Sequence, residues 1–300
     1  MARFFRTLRR ARPGARLPLL GKWFASRRAS ENPEPAKSCA FSSLANYETD
    51  YAKLGALLDH PGITPPAGET DFLRRLLQRP LTHPGTIGAE DYFFLTACAS
   101  ILAPRRTVEL GTLTGFSAAL LAAALARRHG HDSAGVDTID TRAQCLIDET
   151  RPTGFEIADL TPDLVSSVRL HTPHDSSHVR QLARRDELEL VFIDANHCHP
   201  YPLLDLLRVA PFMRGGSWII LHDIRLGSSG TDAPFGAEWL FQRYPGRKIS
   251  GGNIGAEEVP TDKSALVPFA LRLMAVPFEV DADRSRRLRS ALLEALADLA

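Results

Sequence analysis

From Arg106 onward the chain alternates short apolar runs with amphipathic stretches, and this rhythm organises it. Runs at Thr107–Leu110, Ala134–Ile139, Ser167–Thr172, Leu188–Asp194 and Ser217–His222 predict strands. The run at 188–194 is almost continuously apolar, as expected of a strand covered on both faces. Between them, helical spacing predicts helices over Gly115–His129, Thr141–Thr150, Ser177–Arg185 and Tyr201–Phe212. Strand–helix alternation of this kind implies an α/β, doubly wound, mostly parallel sheet with helices on both faces. Ligands of such sheets bind beyond the carboxyl ends of the strands.

The flanks read differently. Tyr51, Leu54, Leu57 and Leu58 share one helical face, as do Phe72, Leu73, Leu76 and Leu77, and a further helix is expected over Gly88–Leu102. After the alternating region, Ala237–Tyr244 reads as helix, Gly251–Glu258 as an edge strand and Leu266–Phe278 as an apolar segment of either type. Arg284–Leu299 carries Leu288, Leu292 and Leu296 at helical spacing. The expected divisions are a basic tail over 1–40, a helical cap over 41–104, a ligand-binding domain over 105–260 and a helical segment over 261–300.

Composition changes this picture at one end only. A net charge of +1 conceals nine Lys or Arg residues between Arg3 and Arg28 before Glu31, the first acid. That stretch, with Phe4, Phe5, Trp23 and Phe24, suits either a disordered tail or peripheral contact of residues 3–28 with a membrane. The longest apolar run, Ala118–Ala126, falls far short of the ~20 residues of a membrane span. Four scattered cysteines without a C-x-x-C pair fit reduced thiols and a cytoplasmic protein. The chain after residue 31 shows no basic, aromatic-laced surface, which argues against nucleic acid as a partner. A homo-oligomer stays open.

The candidate chemistry sits at the predicted strand ends. Val108-Glu109-Leu110-Gly111-Thr112-Leu113-Thr114-Gly115-Phe116-Ser117 is a strand, a glycine turn and a helix start. A backbone without Cβ at the bend lets a ligand lie against the main chain, and the helix offers it unpaired N–H groups. The order Glu-x-Gly-x-x-x-Gly departs from the G-x-G-x-x-G of dinucleotide sites. Asp137 closes the second strand, where a carboxylate accepts ribose hydroxyls; Asp140 is its rival. Asp175 and Ser176 follow the third strand and suit either adenine or a helix cap. Asp194 and Asp223 end the fourth and fifth strands, close enough in such a sheet to hold Mg²⁺ or another divalent cation. His197 is the candidate general base, since an imidazole with an ordinary pKa of ~6.5 accepts a proton near neutrality.

The Glu109–Gly111–Gly115 turn resembles the first motif of class I S-adenosylmethionine-dependent methyltransferases. Phe192-Ile193-Asp194-Ala195-Asn196-His197, Asp205-Leu206, Met213-Arg214-Gly215-Gly216 and Ile220-Leu221-His222-Asp223 are similar to the small-molecule O-methyltransferase branch, which includes macrocin O-methyltransferase. The resemblance runs from about Arg105 to Ile224. It implies a seven-stranded Rossmann-like sheet and S-adenosylmethionine bound by Glu109, Gly111, Thr112, Gly115, Ser117, Asp137, Asp175, Ser176 and Asp194. It also implies methyl transfer to a hydroxyl of a small molecule, a sugar or secondary metabolite, with Asp194 and His197 catalytic. Two positions depart from the pattern. Asn196 stands where relatives often carry an aspartate base, and Ile224 where metal-dependent members carry Asp or Asn. These departures keep a non-catalytic S-adenosylmethionine-binding scaffold as the alternative.

Overall fold

The structure is a computed structural model and describes residues 33–79, 87–130, 135–226, 236–278 and 280–299. Its elements in chain order are β1 (Lys37–Ser38), α1 (Tyr47–Leu57), α2 (Glu69–Leu77), α3 (Ala89–Leu102), β2 (Thr107–Leu110), α4 (Phe116–His129) and β3 (Val136–Ile139). They continue with α5 (Glu156–Leu160), β4 (Val168–His171), α6 (Val179–Leu182), β5 (Leu188–Ile193), α7 (Tyr201–Val209) and β6 (Met213–His222). The last are α8 (Gly236–Arg243), β7 (Lys248–Ser250), β8 (Ile254–Glu258), α9 (Leu266–Met274) and α10 (Ala282–Asp298).

One sheet carries the fold, in the order β1-β7-β8-β6-β5-β2-β3-β4. All its pairings are parallel except those of β8 with β6 and β7. The doubly wound class therefore holds, with eight strands among the described residues. The additional strand is β1, which pairs with β7 and lies inside the stretch expected to be tail, and the next residue, Cys39, is buried. The chain runs β2, β3, β4 outward in one direction, then returns to place β5 on the other side of β2. The switch point of the sheet thus falls between β2 and β5.

Alternation along the strands feeds two cores. Val108, Leu110, Val191 and Ile219 pack on the side of α7, α9 and α10, whereas Leu190, Phe192 and Ile220 pack on the side of α1–α4. Helix α4 starts after Gly115 and stops at Gly130, both in backbone conformations with positive φ. Ten consecutive residues, Ser117–Ala126, are buried. That is the pattern of a helix sandwiched between layers.

Three local expectations need correcting. Residues 141–150 are not helical. Asp140 takes the Arg142 N–H, while Cys145 N and Thr153 N bond across the loop to Arg151 O and Ala143 O, so these groups are spent before a helix can use them. β8 is an interior strand, because β7, which the apolar pattern did not reveal, lies outside it. The ambiguous segment from Leu266 is helix α9. Residues 3–28, with their proposed membrane contact, lie outside the described residues. No described helix is long and apolar enough to cross a membrane.

Candidate active site

The turn after β2 is fixed from both sides. Gly111 N donates to Ile139 O, and Asp194 N donates to Leu110 O, so the ends of β2, β3 and β5 are tied together. Gly111 has φ +96°. A Cβ there would lie 2.6 Å from the Asp194 carbonyl carbon and 2.8 Å from Ala195 Cα. The two strand ends therefore approach closely only because residue 111 is glycine. Gly115 is needed for a different reason. It has φ +89°, and a Cβ would meet Gly154 Cα at 2.9 Å. It seats α5 and does not line the cavity.

A cavity of about 820 Å³ opens at this switch point, within the range of roughly 300–1,000 Å³ usual for cofactor sites. Gly111, Thr112, Ser117, Asp140, Asp194 and His197 line it, as do Asp175 and Ser176 beyond β4. Thr112 donates its N–H to Asp140 Oδ2 at 3.0 Å and shares a hydroxyl contact with Thr138 at 2.6 Å. Asp175 accepts from Ser177 N at 3.0 Å and pairs with Arg208 at 2.8 Å. Ser176 donates to Asp205 at 2.5 Å. Burial holds the Asp205 carboxyl up at about 6.

Besides Gly115, two sequence-predicted ligand residues lie elsewhere. Asp137 is inside β3 and does not line the cavity. Arg169 holds both of its oxygens at 2.7 and 2.6 Å, and His171 bonds one at 2.8 Å. These partners outweigh its burial and lower its pKa. The strand runs on through Ile139, so the residue at its end is Asp140, which faces the cavity. Glu109 is wholly buried, off the cavity wall. Its Oε2 accepts from Thr138 at 2.5 Å and its Oε1 has no hydrogen-bond partner. Burial raises its pKa to about 8, against the opposing pull of the Ser117 and Thr138 hydroxyls.

At the other end, three donor atoms converge. His197 Nε2 lies 3.2 Å from Asp223 Oδ2 and 4.0 Å from Asp194 Oδ1. One ligand atom from each of Asp194, His197 and Asp223 lies within 4.8 Å of the others. Asp223 adopts φ +58°, a left-handed conformation costly for a side-chain-bearing residue, and Asn253 Nδ2 holds its Oδ1 at 2.7 Å. Asn196 accepts from Cys198 N at 2.9 Å and so shapes the loop that carries His197.

Behind these residues stands a pairing the sequence did not reveal. His222 is buried, with Nδ1 3.0 Å from Asp194 Oδ1 and Nε2 3.3 Å from Asp91 Oδ2. Burial alone would lower its pKa, but Asp194, Asp91 and Asp223 outweigh it and hold the imidazolium up to about 11. Asp91 sits in the first turn of α3, where a carboxylate reads as an ordinary dipole partner.

A mostly parallel sheet with a glycine turn at its switch point and a His/Asp cluster at the adjoining strand ends is the arrangement in which α/β folds bind ligands. Residues 108–224 match the family model described as a methyltransferase domain. Comparison with curated proteins gave no match. Among solved structures, the chain is similar to the O-methyltransferase TomG from Streptomyces achromogenes, with 17% identity, 73% of this chain and 100% of that one covered, and TM-score 0.45. It is similar to an O-methyltransferase from Bacillus cereus, with 18% identity, 71% and 99% coverage, and TM-score 0.43. A third is a putative O-methyltransferase from Klebsiella pneumoniae, with 17% identity, 71% and 99% coverage, and TM-score 0.44.

Proposed function

We propose that the protein transfers the methyl group of S-adenosylmethionine to a hydroxyl oxygen of a small molecule, with His197 as general base. The observation that carries this is the junction of two features in one cavity: the Gly111 turn at one side and His197, backed by Asp223 and Asp194, at the other. The residues present suit the cofactor. The cavity has room for it, a Cβ at Gly111 would close the approach to the strand end, and Asp140 offers the ribose a carboxylate at the end of β3. When bound, the cofactor supplies an electrophilic methyl on a sulfonium. It would give that methyl to the acceptor oxygen and leave as the neutral thioether, while the hydroxyl proton would pass to His197 Nδ1, the ring nitrogen not turned to Asp223.

This chain's residues position and neutralise. Holding donor and acceptor in line supplies up to about 7–11 kcal/mol of barrier lowering in favourable cases. Asp223, 3.2 Å from His197 Nε2, and Asp194 stabilise the imidazolium that forms. The proposed divisions of the chain follow: a cofactor-binding domain over 105–260, helices over 41–104 that back the site through Asp91, and a C-terminal helical segment over 261–300.

One observation supports a second route for the proton. Asp194, His197 and Asp223 also form a two-oxygen, one-nitrogen donor set for a divalent cation, such as Mg²⁺ or a transition metal. The deciding experiment is methyl transfer from radiolabelled S-adenosylmethionine to a panel of hydroxylated small molecules, with and without EDTA. His197→Ala lowers kcat by about 10²–10⁴-fold if it is the base, and activity survives EDTA. If chelation abolishes activity and Mn²⁺ calorimetry shows tight binding lost in Asp223→Asn, the metal route holds. Failure of S-adenosylhomocysteine to bind the intact protein contradicts the proposed function.

A further inference from the structure

The C-terminal helix intrudes on the cavity. Arg284, Arg287, Leu288 and Ala291 of α10 line it, alongside Tyr201 and Leu204 of α7. α10 carries four arginines, and they divide sharply by direction. Arg286 pairs with Asp283, and Arg289 donates to Met274 O at 3.0 Å while lying over the Phe278 ring. Neither of these lines the cavity. Arg284 and Arg287 do, and among the described residues neither has a carboxylate within ion-pair distance. Asp283, the adjacent acid, is taken by Arg286, and Asp281 spends an oxygen on the Arg284 backbone N–H at 2.8 Å. The Arg284 guanidinium instead lies 5.4 Å from the Tyr201 ring centre.

The same cavity wall includes the loop after β3, and there Leu146 and Ile147 are 60% and 37% exposed. Large aliphatic side chains left open inside a cavity favour a flat apolar ligand over water. Asp175 and Ser176 contribute polar edges. An aliphatic loop, polar strand-end residues and two guanidinium planes without a carboxylate partner among the described residues together suit a purine nucleoside. Arginine is attracted to the face of such a ring and donates hydrogen bonds to its ring nitrogens and ribose oxygens.

We propose that α10 is the outer wall of the nucleoside half of the cofactor cleft, with Arg284 and Arg287 as binding residues for adenosine. This rests on the S-adenosylmethionine reading above and extends it to a helix outside the matched methyltransferase domain. The C-terminal segment is then part of the site, and cofactor affinity depends on how α10 packs on α7.

The test is calorimetry of the full chain with two probes: S-adenosylhomocysteine, and 5′-methylthioadenosine, which keeps the nucleoside and lacks the amino acid. Arg284→Ala and Arg287→Ala each weaken both probes about fivefold or more, from the loss of a partly desolvated cation–ring contact. Arg286→Ala leaves both affinities unchanged. Equal affinity in all three variants overturns the proposal. So does a loss confined to S-adenosylhomocysteine, because the arginines would then hold the amino-acid carboxylate. If the unaltered protein binds neither probe, the cofactor reading itself fails, which is a separate result. Circular dichroism and unchanged melting temperatures verify that each variant is folded.

Discussion

Gly111→Ala is the sharpest single perturbation of the site. The added methyl faces backbone, 2.6 Å from the Asp194 carbonyl carbon and 2.8 Å from Ala195 Cα, and no side-chain rotation relieves it. Positive φ costs an L-residue about 1–2 kcal/mol, and overpacking adds about 1–3 kcal/mol. The expected loss is therefore about 2–5 kcal/mol of stability, or an equivalent displacement of the β5 end from the turn. Gly130→Ala is the control. Gly130 also has positive φ, +85°, but a Cβ there meets nothing within 4 Å, so only the conformational part applies. Urea denaturation at equal m-value measures both variants, and calorimetry measures their affinity for S-adenosylhomocysteine. Gly111→Ala should be the more destabilised by at least about 1 kcal/mol and should bind the ligand at least tenfold more weakly. If it matches Gly130→Ala in stability and keeps wild-type affinity, the close approach of β2 and β5 does not shape the ligand site.

Other outcomes follow from the same geometry. Asp140→Asn should weaken S-adenosylhomocysteine binding while Asp137→Asn, which breaks only the Arg169 and His171 pairings, lowers the melting temperature with little change in affinity. Asp91→Asn keeps the volume and acceptor beside His222 but removes a charge. It should lower kcat by about tenfold with S-adenosylhomocysteine affinity unchanged, given ~1.5–3 kcal/mol for a charged hydrogen bond; an unaltered kcat would show that Asp91 is only structural. Glu109, raised to about 8, stays protonated in the folded chain where the unfolded chain has ionised. The folded state then binds more protons, so stability falls as pH rises from the unfolded carboxyl range toward 8. Glu109→Gln should flatten that slope in pH-dependent urea midpoints.

How far the sequence reveals the site depends on whether a role is local. The Glu-x-Gly-x-x-x-Gly spacing located the turn because the bend and the helix start are built from adjacent residues. Asp194 and Asp223 were legible because each ends a recognisable apolar run. Asp137 lies inside the strand because Thr138 and Ile139 continue it, so the cavity-facing acid, Asp140, comes three positions later than the apolar pattern suggests. Asp91 and His222 were illegible as partners. They are 131 residues apart, and only the packing of α3 against β6 brings them together. The segment over 141–150 departs from its helical spacing because side-chain and cross-loop bonds outcompete helical propensity, which is weak over ten residues. Arg284 and Arg287 carry no local signal, since only the packing of α10 beside the cavity sets them apart from Arg286 and Arg289.

The most direct measurement is a crystal structure of the full chain with S-adenosylhomocysteine. Its ribose is expected on Asp140, its adenine between the 141–150 loop and α10, and its sulfur on the side of the Gly111 turn that faces the His197 ring. A ligand bound outside this cavity, or one whose sulfur points away from His197 and Asp194, would contradict the assignment of His197 as the base.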